Sequence, residues 1–145
     1  MSCQLVLDTN TVLALWMFHD PRLAPLRAFI EEGRCSLHGR TDALEELRLV
    51  LAYPQFGVEP AAQAALHDAY RSRLHLLADL PPTDAPPLPA CRDSDDQKFL
   101  EIARDAGASH LVTRDKALLK LARHRLVRER FAVLTPERFV AQLAD

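Results

Sequence analysis

Short apolar runs alternate with longer amphipathic stretches along the chain. The first run, Leu5-Val6-Leu7 in QLVLDTN, predicts a buried strand over Gln4–Leu7. Further strands are expected over Cys35–His38, His110–Thr113 and Phe131–Leu134. Helical spacing predicts a short helix over Thr11–Phe18. Asp20-Pro21, a cap followed by Pro at the first helical position, opens another to about Glu32. Thr41 is expected to cap a helix that runs through Leu51 and stops near Pro54, and Pro60–Leu77 carries a long helical pattern. Ser94-x-x-Gln97 fits a capping box opening a helix to about Ala106. A helix is expected around Lys116–Arg123, and Thr135-Pro136 caps a closing one. Five of the ten prolines fall in ADLPPTDAPPLPA, which reads as a connector over about residues 81–90.

Four- and five-residue apolar runs separated by helices are the pattern of an α/β fold, a parallel sheet covered on both faces. With 145 residues and no internal repeat, one domain over 1–145 is expected. In such sheets ligands bind beyond the carboxyl ends of the strands. The first run ends at Asp8, and the HLVT run is followed by Asp115. If both strands run parallel, two acids arrive at the same edge. Asp8-Thr9-Asn10 supports two readings: a helix cap, or an active-site acid on the lip of a strand.

Helical geometry at about 100° per residue places further acids. On TDALEELRLVL the apolar stripe is Ala43, Leu44, Leu47, Val50 and Leu51. Glu45 falls opposite that stripe and Glu46 on its flank, while Leu49 is out of register. On the helix after Ser94 the stripe is Phe99, Leu100, Ile102, Ala103 and Ala106, and extrapolation back one turn puts Asp95 and Asp96 on the inward side. First-turn acids complement the helix dipole, which explains their presence but not an inward direction.

Composition narrows the classes. Apolar residues are 48% and charged residues 26%, an ordinary globular balance. No apolar run approaches the ~20 residues of a membrane span. No basic region precedes the first apolar run, so a signal peptide is not expected. Cys3, Cys35 and Cys91 share no CxxC spacing, which speaks against a disulfide framework or a zinc site and for small buried groups in a reducing cytoplasm. Net charge is −2, yet Arg114 to Arg130 holds seven Lys/Arg against two Asp/Glu. That segment is either a solvated helix face or a phosphate-tracking patch.

Asp8, Glu46, Asp96 and Asp115 are thus candidates to converge on one edge. Clustered carboxylates repel unless they take up protons or enclose a cation. Mg²⁺ or Mn²⁺, hard ions with oxygen ligands, are the natural occupants. The six His are scattered and hold no zinc-like spacing, and neither a glycine-rich phosphate loop nor a Ser/His/Asp nucleophile motif is present.

The segments VLDTN, LEELRLVL and CRDSDDQKFLEIARDAGASHLVTRDKALL together resemble a PIN-domain protein, in the branch often assigned as toxins of toxin–antitoxin pairs. The resemblance spans roughly Leu5 to Val140. It implies a three-layer α/β/α sandwich around a mostly parallel sheet of four to five strands. It implies a metal-dependent ribonuclease with one or two Mg²⁺ or Mn²⁺ ions, cleaving single-stranded RNA. Asp8, Glu46, Asp96 and Asp115 match its four acids. Asp93 and Asp95 lie in the same acidic stretch as supporting candidates, and Asn10 and Thr113 are expected to orient the carboxylates. Arg114, Lys116, Lys120 and Arg123 are the candidate RNA contacts. A small antitoxin protein and a homodimer are the partners such a toxin implies. Two departures from the family pattern stand out: Arg114, where a small or amide residue is common, and Ser94, where Pro is common. An aspartyl phosphatase is disfavoured, because Asn10 stands at the third position of Asp-x-Asp. A non-catalytic PIN scaffold binding RNA or a protein partner is the rival reading. Trp16 and Phe18, near the site edge, are read as core packing ahead of partner contacts.

Overall fold

The computed structural model describes residues 3–78 and 84–144. Its centre is an all-parallel sheet of five strands, at the upper end of the expected number. The strands are β1 (Gln4–Leu7), β2 (Ser36–Gly39), β3 (Leu74–Leu76), β4 (His110–Val112) and β5 (Ala132–Leu134), in the order β3-β2-β1-β4-β5. Four lie within a residue of their predicted positions. β1 is central, with Leu5 level with Leu37 of β2 and Leu7 level with Val112 of β4. From β1 the chain builds outward to β3 and then returns to β4 on the opposite side. The reversal lies between β1 and β4, where doubly wound sheets open a crevice.

Side chains alternate across the sheet as strand geometry requires. Leu5, Leu7, Val112 and Leu134 join one core, and Val6, Leu111 and Val133 the other. The first core packs beneath α1 (Thr9–Trp16), α2 (Ala24–Glu31), α3 (Thr41–Leu51), α4 (Pro60–Arg73) and α8 (Pro136–Leu143). The second packs beneath α5 (Gln97–Ala106), α6 (Lys116–Leu119) and α7 (Arg125–Arg128). The result is the three-layer α/β/α sandwich.

Several boundaries differ from the sequence reading, each for a local reason. α1 begins at Thr9, two residues early, because Asp8 takes the cap position. Asp20 does cap, but the first turn, Pro21–Leu23, is a 3₁₀ turn ahead of α2. Thr41 is the first helical residue of α3, and Arg40 stands at the cap position. The expected Ser94–Gln97 box does not form. Asp93 caps a 3₁₀ turn over Ser94–Asp96, and the Gln97 amide reaches sideways, accepting from Cys91 N–H (2.6 Å) and donating to Pro89 O (3.1 Å). Of the helix expected around Lys116–Arg123 only Lys116–Leu119 forms, as α6, and α7 over Arg125–Arg128 is a further short helix beyond it. Thr135 caps α8 as predicted, accepting from Arg138 N–H at 3.1 Å.

The strand β3 was hidden inside the long helical pattern. The chain passes from α4 to β3 without a turn, switching to extended geometry at Leu74. Pairing with β2 makes the switch, since Leu37, His38 and Gly39 stand level with Leu74, His75 and Leu76. Of the expected connector, residues 81–83 lie outside the described residues, and 84–90 hold no helix or strand. Among the described residues no helix is long and apolar enough to cross a membrane. The three cysteines are free. Cys91 is buried, Cys3 and Cys35 are half-buried against the first core, and burial pushes the Cys35 thiol up to about 12.

Candidate active site

Asp8 leaves β1 and at once caps α1. Its Oδ1 accepts from Thr11 N–H at 3.0 Å, and its Oδ2 accepts from the Thr113 hydroxyl at 2.5 Å. The residue is only 4% exposed. Burial is the main influence on its carboxyl and raises the pKa, and the nearby Asp115 raises it further, while the Thr11 and Thr113 hydrogen bonds oppose both. The cap and the strand-end acid, rival readings of the sequence, describe one residue.

Thr113 is fully buried at the end of β4 and works in both directions. Its hydroxyl donates to Asp8 and accepts from Asp115 N–H at 2.9 Å. Asp115 in turn caps α6, with Oδ2 accepting from Leu118 N–H at 3.0 Å. Two strand ends are therefore tied by one threonine, through the Asp8 carboxylate and the Asp115 backbone N–H. Asn10 lines the same pocket from the exposed side of α1, but its amide makes no hydrogen bond to these carboxylates.

Glu46 and Asp96 enter from the helices. Glu46 is half-buried on the flank of α3, while Glu45 is exposed and pairs with Arg48. The Glu46 carboxylate accepts from the Thr9 hydroxyl and from Lys98 Nζ, the latter at 2.8 Å. Asp96 ends the 3₁₀ turn before α5. Its pKa is pushed up to about 7, first by burial and then by Asp115, Asp93, Asp8 and Glu46. Asp95 is exposed and Asp96 half-buried, and both line the same pocket.

Asp8, Glu46, Asp93, Asp95, Asp96 and Asp115 all line one open pocket of about 330 Å³. Among the described residues no three Asp, Glu, His or Cys side chains close into a ready metal cage. The donor set nevertheless fits a hard divalent cation. It is all oxygen, burial and then the neighbouring carboxylates push the Asp96 carboxyl up to about 7, and Mg²⁺ is commonly held by one or two carboxylates with its remaining waters kept.

The basic candidates divide. Lys116, Lys120 and Arg123 are exposed. Arg114 is committed elsewhere: its Nη2 lies 2.9 Å from Asp20 Oδ2 and 2.5 Å from Glu137 Oε2, bolting the end of β4 to α8 and to the turn before α2. The same pairing holds the Asp20 carboxyl well below the usual range, Arg22 first and Arg114 second. Arg114 lies outside the pocket lining, held by Asp20 and Glu137.

Five contributors carry no signal in the sequence reading: Lys98, Thr9, Tyr53, Gln55 and Phe56. Lys98 was overlooked although it sits two residues after Asp96, and its ammonium bonds Glu46 and the Asp95 carbonyl. Thr9 was read only as a turn residue, and its hydroxyl positions Glu46. Tyr53, Gln55 and Phe56 line the pocket beside the acids and carry no motif. Trp16 does pack as expected, tilted on Tyr70 at 5.7 Å with its indole N–H donating to Glu31, whereas Phe18 is 59% exposed and is not core.

A search of curated proteins and a search of solved structures each returned no match. A family model described as PIN domain matches residues 4–117, a span that includes every acid of the pocket. PIN domains are three-layer α/β/α folds, generally nucleases that bind RNA and typically use divalent metal ions. With the sheet, the pocket and this match in agreement, the chain belongs to the PIN domain family.

Proposed function

We propose that this protein is a Mg²⁺- or Mn²⁺-dependent endoribonuclease that hydrolyses single-stranded RNA, with Asp8, Glu46, Asp96 and Asp115 as its metal-binding and catalytic carboxylates. The observation that carries the reading is the meeting of these four acids at the β1–β4 reversal, around one open pocket. Asp93 and Asp95 support them from the rim.

A divalent cation held there supplies an activated water and a counter-charge for the phosphodiester. The chain's own groups prepare the site. Thr113 and the Thr11 amide hold Asp8 in one rotamer, and Leu118 N–H does the same for Asp115. Thr9 and Lys98 keep Glu46 turned toward the pocket. Asp96, its carboxyl pushed up to about 7 by burial and the neighbouring acids, would hold the cation in its deprotonated form. Lys116, Lys120 and Arg123, beyond Asp115, steer the phosphate backbone. The toxin role, with a small antitoxin protein, a homodimer and a cytoplasmic setting, is part of the same proposal. It rests on the resemblance in the acidic and strand-end segments.

One observation favours the rival, a PIN scaffold that binds RNA or a protein without cleaving it. Lys98 already places a cation on Glu46. The separating experiment incubates the protein and Asp8→Asn with labelled single-stranded RNA in Mn²⁺, Mg²⁺ or EDTA. The nuclease reading expects cleavage that needs metal and is lost in Asp8→Asn, because Asn still caps α1 but cannot supply a carboxylate. RNA retained in EDTA and intact in every metal would establish the scaffold.

A further inference from the structure

Four large apolar residues are strongly exposed among the described residues, and two of them, Phe18 and Tyr53, meet Phe56 at the pocket rim. Phe18 is 59% exposed, Leu49 51% and Tyr53 45%. Glu46, Leu49 and Val50 follow the i, i+3, i+4 spacing of one face of α3, and Tyr53 follows in extended backbone just past the helix end. This second stripe on α3 explains why Leu49 is out of register with the core. It begins at a pocket acid and ends in an aromatic turn. There Tyr53 stacks on Phe56 with ring centroids 6.1 Å apart and planes at 13°, and Phe18 meets Phe56 edge-on at 5.7 Å. Tyr53 and Phe56 line the acidic pocket itself, with Gln55 between them. Phe56 is half-buried against the first core, whereas Phe18 and Tyr53 stand exposed on it beside a carboxylate pocket, and that apolar exposure calls for a ligand.

We propose that the Phe18–Tyr53–Phe56 cluster is a stacking platform for one unpaired nucleobase of the RNA strand, next to the nucleotide whose phosphodiester lies at the acids. This rests on the nuclease reading above and adds the residues that select an unpaired strand. Aromatic faces stack on any base, which suits sequence-tolerant binding of single strands. A paired base offers no free face, so a duplex gains nothing from the platform. The Gln55 amide is placed to bond a base edge. The aromatic faces adjoin six carboxylates, a poor setting for an acidic peptide.

The test uses the full chain and Tyr53→Ala, Phe18→Ala, Tyr53→Phe and Tyr53→Leu. The probe is a labelled oligoribonucleotide of about a dozen nucleotides, single-stranded or annealed to its complement. Binding is read by anisotropy in low-salt EDTA, cleavage as kcat/KM in Mn²⁺, folding as Tm and assembly by sedimentation. Tyr53→Ala should weaken single-strand binding by about 5- to 100-fold, and in cleavage the loss should fall on KM. Tyr53→Phe should bind like the unmodified chain, Tyr53→Leu should resemble Tyr53→Ala, and duplex binding should not change. Should Tyr53→Ala and Phe18→Ala bind and cleave single strands as well as the unmodified chain, the platform is overturned and the nuclease reading stands. If those variants instead dissociate a dimer while RNA binding holds, the rim is an interface between copies and the platform is again wrong. An unmodified, folded chain that neither binds nor cleaves RNA in any metal would remove the nuclease reading and the platform together.

Discussion

Thr113 carries more than its size suggests. Its hydroxyl serves Asp8 and the Asp115 amide at once, in a spot with no solvent. Thr113→Val keeps the shape but leaves a buried carboxylate oxygen and an N–H unpaired. Unfolding measurements in denaturant should show a loss of about 1–3 kcal/mol. Metal affinity or activity, read from Mn²⁺ titrations, should fall about 10- to 100-fold. Asp96 yields a pH prediction. Its pKa in the fold, about 7, lies above the ordinary 3.8. A raised carboxyl stabilises the fold fully below its unfolded pKa, and that contribution is lost as pH rises through the folded value. Stability without metal should therefore decline between about pH 4 and 7, and Asp96→Asn should flatten the decline in melts recorded across that range. At this scale the sequence was informative about identity and silent about partners. All six acids named from the sequence line the pocket, but Lys98 and Thr9 were invisible as partners of Glu46, because their contacts reach across 52 and 37 residues.

Helices α3 and α5 aim their acids by different means. Glu46 follows from the wheel, since α3 is regular from Thr41 to Leu51. Asp96 is set by a 3₁₀ turn that the wheel does not describe, and by Gln97, which ties the entry of α5 to the incoming loop. The exit of α5 is equally specific. Gly107 closes it at φ 64°, a left-handed position that L side chains resist. Gly107→Ala should cost about 1–2 kcal/mol, seen as a Tm lower by several degrees, with the acids unmoved. The helix α4 shows where element-level reading stops. Pro60–Leu77 has no breaker, and its last residues became β3 only because β2 offered a partner edge. A strand that ends a helical run has no period of its own to betray it.

Across the molecule, charge is arranged in opposition. The acidic pocket sits at one strand-end edge, and the segment beyond Asp115 presents exposed Lys116, Lys120 and Arg123. Each phosphate contact to a single strand contributes about 0.7 to the slope of log affinity against log salt. Lys116→Ala with Lys120→Ala should reduce that slope by about 1.4, measured by RNA titrations at several salt concentrations, and leave Tm unchanged. Arg114→Ala should instead lower Tm, because its guanidinium joins β4 to α8 through Glu137 and to Asp20. The layered α/β class, four of the five strands and the candidate carboxylates were legible in the chain before any folding was considered. Those follow from local periodicity and from acids placed at the ends of apolar runs. Tertiary structure alone decided the order β3-β2-β1-β4-β5, the existence of β3, the commitment of Arg114 to an ion-pair network and the aromatic rim beside the acids. Each of these depends on which distant segment a residue meets, and that meeting is set by sheet pairing and packing across the whole chain, not by any neighbour in sequence.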